Sequence, residues 1–274
     1  MKKQRKPIEV KLRKSPLVLV LGQVKFSENA TIESVIPVLQ EEFRTLRYPI
    51  QHVLLRKKIT VNPAGQVEKV ADVHQWTFRT KDETGLVILD ATQVVFQLSH
   101  YQTFEDFMKS FEKILDLVLR ETSIRKDCLV QRLGLRYVNA VAHQETGHGP
   151  EHYLKKEFLG VSDCVFKQNT KALGGATVGM TDLGGGGQGT LAVRVLTAHG
   201  QKVPPDLLEF APAMSADSKS TSYTLLDLDH SWSGSLDLEQ SENQLSGIFE
   251  SLHEKINEVF FQYLVTDDAM GEWR

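Results

Sequence analysis

Apolar residues fall into short strand-like stretches through most of this chain and recur at helical spacing in three places. From Leu17 to Phe26 the pattern is a strand, continuously apolar at first and then alternating at Gly22, Val24 and Phe26. Ile32, Val35, Ile36, Leu39, Phe43 and Leu46 then follow a helix, with Pro37 either kinking it or marking its start. Strand-like segments come next at about 51–61, 67–80 and 84–98. Asn62-Pro63-Ala64-Gly65 and Lys81-Asp82-Glu83-Thr84-Gly85 join them with hairpin chemistry. Thr103 and Asp106 stand at capping-box spacing and open an amphipathic helix of Phe104, Phe107, Phe111, Ile114, Leu115 and Val118.

The second half begins with the longest predicted strand, Leu129 to Ala142. Gly149-Pro150 starts a short helix through Phe158, since proline suits a first helical turn. Strands at about 162–170 and 188–198 flank a glycine-rich segment, and a loop from Gly200 to Ser220 holds Pro204, Pro205 and Pro212. The strand Tyr223–Asp229 precedes a last helix. There Ser241 and Gln244 are placed to cap Leu245, Ile248, Phe249, Leu252, Ile256, Val259, Phe260 and Tyr263.

The two halves echo each other. Leu21-Gly22-Gln23-Val24-Lys25-Phe26 is answered by Leu133-Gly134-Leu135-Arg136-Tyr137-Val138, and Leu86–Asp90 by Tyr223–Asp227, each followed by a helix. The expected fold class is α+β: an internally duplicated strand-helix-strands-helix unit forming an antiparallel curved sheet with long helices on one face. That order resembles the TATA-binding-protein-like arrangement; two separate ferredoxin-like domains are the alternative. The expected organisation is a basic flexible arm at 1–16, a first repeat at 17–124 and a second at 125–274. Inserted loops are expected at about 174–189 and 200–220.

Composition narrows the function only slightly. At 274 residues the chain can bury a substantial core, and its formal charge of −3 exerts no global pull on nucleic acid or membrane. No apolar run approaches the roughly 20 residues of a membrane span. The apolar stretch behind the basic N-terminus is too short for a signal peptide. Two separated cysteines, Cys128 and Cys164, fit a reducing cytoplasm without a disulfide framework.

Candidate chemistry concentrates in Arg132-Leu133-Gly134-Leu135-Arg136-Tyr137-Val138-Asn139. Alternation puts Arg132 and Arg136 on one face of a strand, about 13 Å apart with bare Gly134 between them. Such a face could grip phosphate or carboxylate; the plainer expectation is that both arginines pair with carboxylates on neighbouring strands. Asn139 lies on the other face. Asp227 and Asp229 share a strand face beside His230, with Asp90 in the equivalent place of the first half. They could hold a cation, but the expected role is at a sheet edge, meeting the arginines, with Asp227 against Arg136. His143, His148 and His152 are close in sequence, but Gly149-Pro150 takes His148 out of any helix, so no metal is expected. Gly184–Gly189 lacks the Lys-Ser/Thr and the helix of a phosphate loop and is expected to be a flexible tip. No complete catalytic constellation occurs, and no cofactor is implied. A basic arm with Lys2, Lys3, Arg5 and Lys6, together with Arg56, Lys57 and Lys58, could contact a phosphate backbone.

The arginine octapeptide also carries a family resemblance. With Trp76-Thr77-Phe78, Tyr101, Phe104, Phe107, Leu226-Asp227-Leu228-Asp229, Leu252-His253 and Phe260, it is similar to the TIGR04255 family of sporadically distributed bacterial proteins. The resemblance spans nearly the whole chain and implies no activity, since the family supplies no catalytic residues to carry over. Its sporadic occurrence suggests an accessory role in a mobile gene cassette. The expected function is a non-enzymatic, cytoplasmic binding protein acting through its sheet face and loops on a protein partner, with a homodimer among the states it could adopt. Nucleic-acid binding and a phosphate-bearing small ligand are the alternatives.

Overall fold

The computed structural model describes residues 12–62, 65, 67–142, 147–159, 174–183, 187–211 and 221–274. It is an α+β structure around one antiparallel sheet, of nine strands among the described residues. In chain order the strands are β1 (Leu17–Phe26), β2 (Ile50–Val61), β3 (Val67–Arg79), β4 (Gly85–Asp90), β5 (Gln93–Leu98), β6 (Leu129–Ala142), β7 (Gly174–Asp182), β8 (Gln188–His199) and β9 (Ser222–Asp237). Their order across the sheet is β2-β3-β4-β5-β1-β6-β9-β8-β7. No helix among the described residues is long and apolar enough to cross a membrane.

The chain divides into two compact units. The first, Leu21–Gly134 with Ser233–Ser246, contains α1 (Ile32–Thr45), α2 (Phe104–Glu121) and α3 (Ile124–Asp127). Its core is aromatic. Phe43 stacks on Phe78 at 4.3 Å, and Phe96 stacks on Phe107 and Phe111 of α2 at 5.2 and 5.7 Å. Helix α2 comes this close because Gly22 has no side chain: a Cβ there would lie 2.6 Å from Cε1 of Phe111. The Thr103 hydroxyl accepts from the Asp106 amide at 3.1 Å, so the expected cap forms. Helix α1 runs through Pro37, which neither starts nor ends it.

The segment expected as one strand at 84–98 is instead a hairpin. The Asp90 carboxylate accepts from the Thr92 amide at 2.9 Å and from its hydroxyl at 2.8 Å, turning the chain between β4 and β5 without glycine or proline. β2 and β3 pair along their whole lengths, but β3 meets β4 only over Gln75–Arg79. Beyond that point β2 and β3 continue as a two-stranded ribbon.

The second unit comprises Leu135–Trp232, Gly247–Arg274 and the chain through Val20. It contains α4 (Pro150–Tyr153), most of α5 (Leu238–Glu258) and α6 (Asp267–Trp273). Phe249, Leu252 and Ile256 of α5 are fully buried. The helix widens into a π turn at Val259–Leu264, and Trp273 stacks on both Tyr153 and Phe260.

Three expectations change in this unit. The glycine-rich segment expected as a loop at 174–189 is largely strand: β7 pairs with β8 over nine residue pairs, Gly174↔Leu196 to Asp182↔Gln188. Helix α5 opens at Leu238, three residues before Ser241, because the Asp237 carboxylate caps the Glu239 amide at 2.9 Å. The short helix after Pro150 stops at Tyr153, since buried Leu154 turns extended to bridge Val265, and a 3-10 turn follows at Lys156–Phe158. Of the expected Gly200–Ser220 loop, the described part includes a 3-10 turn at Pro205–Phe210. The strand expected at 162–170 lies outside the described residues.

Candidate functional site

Arg136 and Asp227 do meet, and they carry a larger ionic cluster with them. β6 and β9 are neighbours, so alternation brings Arg136 and Asp227 to the same face of adjacent strands. Arg136 donates from Nε to Asp227 Oδ1 at 2.7 Å and from Nη2 to Oδ2 at 2.8 Å. On its other side, Nη1 and Nη2 donate to Asp206 at 2.7 and 3.2 Å. Arg194, cross-strand partner of Asp227 on β8, donates to Asp227 Oδ2 at 2.9 Å and lies 3.7 Å from Asp229.

Asp227 is completely buried on an inner strand, not at a sheet edge as expected. Burial works against the Arg136 charge, but the hydrogen bonds and charges of Asp227 and Asp206 outweigh it and raise its pKa above the ordinary arginine value. The bond from Arg136 holds the Asp206 carboxyl below its usual range.

The cluster sets two guanidinium groups against three carboxylates, and every nitrogen of Arg136 already donates. It is poorly suited to hold an anion. Its physical role is to fix β6, β8, β9 and the Pro205–Phe210 turn to one another.

The other predicted site residues go elsewhere. Arg132 belongs to the first unit, where it folds over Gly134 and donates to Gln23. From there a row of side-chain hydrogen bonds crosses the sheet: Gln23 to Gln93, Gln93 to Asp90, Gln75 to Asp90 and Arg56 to Gln75. Asp90 thus sits in this row. Asn139 is buried, and its amide donates to the Leu226 carbonyl.

Lys57 pairs with Asp72 at 2.9 Å on the β2–β3 ribbon, and Lys58 stands opposite Ala71. Lys2, Lys3, Arg5, Lys6 and His143 lie outside the described residues. His148 stacks on His152, which faces Glu272 at 3.3 Å. Among the described residues no three His, Cys, Asp or Glu side chains gather as metal ligands.

Two histidines near α5 are held by hydrogen bonds. His230 Nδ1 donates to the Leu252 carbonyl at 3.1 Å, so its Nε2 accepts from the Thr181 hydroxyl at 2.7 Å. His253 lies between Tyr137 and Asn257, and burial pulls its pKa down to about 4.

Among the described residues, the two most exposed large apolar side chains lie on β7, within the segment expected as a loop. β7 ends the strand order, with a neighbour only on its β8 side among the described residues. Val178 is 64% exposed and Met180 76%. The strand contains no Lys, Arg, Glu or Pro, the residues that usually blunt a sheet edge. On its other face, Gly179 opens onto an apolar groove of about 570 Å³, lined also by Phe158, Leu191, Val193, Val259 and Tyr263. One wall is the π turn, a distortion found often at functional sites. The signal for it is the alternation Ala176, Val178, Met180, masked by Gly174 and Gly175 ahead of it and Gly179 within it.

Against known proteins, the chain matches no protein-family model and no curated protein.

Proposed function

We propose that this is a non-enzymatic, cytoplasmic binding protein that receives a strand of a protein partner along the outer edge of β7. One observation carries the reading: among the described residues, a nine-residue edge strand without Lys, Arg, Glu or Pro presents Val178 and Met180 to solvent. Strand addition at such an edge draws affinity from main-chain hydrogen bonds and specificity from side-chain pockets. The groove beside Gly179 supplies a pocket of that kind.

The test compares proteins copurifying with the parent chain, with Met180→Lys and with Val38→Lys, an exposed apolar control on α1. The reading expects a partner that Met180→Lys loses and Val38→Lys keeps. Equal recovery by all three, with a parent chain that is also monomeric, would end it.

A second reading, nucleic-acid binding, is favoured by the β2–β3 ribbon that carries Arg56, Lys57 and Lys58 beyond β4. It expects affinity that falls steeply with salt and weakens in Arg56→Glu.

We also infer that the two halves of the chain, 17–124 and 125–274, descend from one module used twice, in a curved sheet resembling the TATA-binding-protein-like arrangement. Supporting this, β1 lies beside β5 and β6 beside β9, each the last strand before a long helix, α2 or α5. An experimental structure in which 17–122 and 129–264 fail to superpose element on element would refute it.

A further inference from the structure

Resting on that reading of the β7 edge, we propose that the strand it receives is β7 of a second copy of this chain, paired antiparallel about Val178. A two-fold contact requires one surface to complement itself. In this register residue 178 faces its own copy, 176 faces 180, 177 faces 179, 175 faces 181 and 174 faces 182.

The side chains then match in size on both faces. Val178 meets Val178, and small Ala176 meets long Met180. On the groove side each glycine faces a threonine, Gly179 against Thr177 and Gly175 against Thr181. Cross-strand pairs of this kind are the unit of sheet stabilisation.

Charge agrees with the same register. Asp182 is the only charged residue of β7, and it faces Gly174 of the second copy. The two Asp182 carboxylates stand roughly 26 Å apart at 3.3 Å per residue, well beyond a Debye length of about 8 Å. The opposite edge of the sheet behaves differently. β2 carries Arg56, Lys57 and Lys58 in succession, so self-pairing there sets cation against cation. Among the described residues, one edge is guarded against its own copy and the other is open to it.

The experiment is light scattering and sedimentation of the full chain with two charge variants at the symmetry centre. The parent is expected to be a dimer. Val178→Lys and Val178→Glu each place like charges face to face and remove an apolar pair, weakening self-association roughly a hundredfold. An equimolar mixture of the two variants restores a one-to-one dimer, which no general loss of folding would produce. Position 178 is mostly exposed, so both variants keep the parent's circular-dichroism spectrum and a cooperative unfolding transition. A parent that stays monomeric at about 100 µM, where a micromolar dimer is nearly complete, overturns the proposal. So does a dimer indifferent to both substitutions. A monomer that loses a different protein on Val178→Lys overturns the second-copy inference and leaves the partner reading standing; if nothing depends on position 178, both fall.

Discussion

Arg136 and Asp227 face each other from adjacent strands in a two-pronged ion pair, with Nε to Oδ1 at 2.7 Å and Nη2 to Oδ2 at 2.8 Å. The carboxylate is entirely buried and serves Arg194 as well. Asp227→Ala therefore strips one anion from two cations, in a setting where removing one partner of a buried pair costs about 3–5 kcal/mol. Arg136→Ala should be costly too, although Arg194 still compensates Asp227. Urea unfolding of the two single variants and the double variant measures the pair, with an expected coupling of about 1–3 kcal/mol. Strictly additive losses would show that each residue acts alone.

His253 gives the fold a pH dependence of definite sign. Burial beside Tyr137 holds its pKa at about 4, against an ordinary value of 6.5. The unfolded chain therefore takes up a proton that the folded chain refuses. Its contribution is intact above pH 6.5 and is lost as pH falls toward 4, reaching roughly 3 kcal/mol at the low end. His230 is shifted in the same direction, also by burial. Many carboxylates titrate in this range, so the informative measurement is a difference. Stability of the parent minus that of His253→Gln should shrink between pH 6.5 and 4; a constant difference would contradict it.

The elements legible from sequence are those where local pattern and packing agree. The stripe Phe104, Phe107, Phe111, Ile114 and Val118, with Thr103 ahead of it, could only be a capped amphipathic helix, and α2 is that helix. The strand expected over Leu129–Ala142 forms between those residues, and its alternation placed Arg136 on the face where Asp227 meets it. Asp206 and Arg194 complete the cluster from a turn and from another strand. No local periodicity reports such long-range approaches. The break inside 84–98 was hidden because Asp90 turns the chain through its own side chain, without a breaker residue on either side. β7 was hidden for the opposite reason: its glycines read as loop, while nine cross-strand pairs with β8 hold them extended.

Two glycines of the sheet are expected to respond to substitution with opposite signs. Gly22 lies beneath α2, where a new methyl group would sit 2.6 Å from Phe111 and 3.1 Å from Phe107, both buried rings. Overpacking a filled core costs typically about 1–3 kcal/mol, so Gly22→Ala should lower the thermal midpoint by several degrees. Gly179 has nothing within 4 Å of the same position, and its φ is not positive. There alanine only reduces the freedom of the unfolded chain, so Gly179→Ala should stabilise by roughly 0.5–1 kcal/mol. Both are read from calorimetric midpoints at one fixed protein concentration, because self-association would otherwise move them. If Gly22→Ala matched the parent, α2 could not be seated against β1 as closely as its rings require.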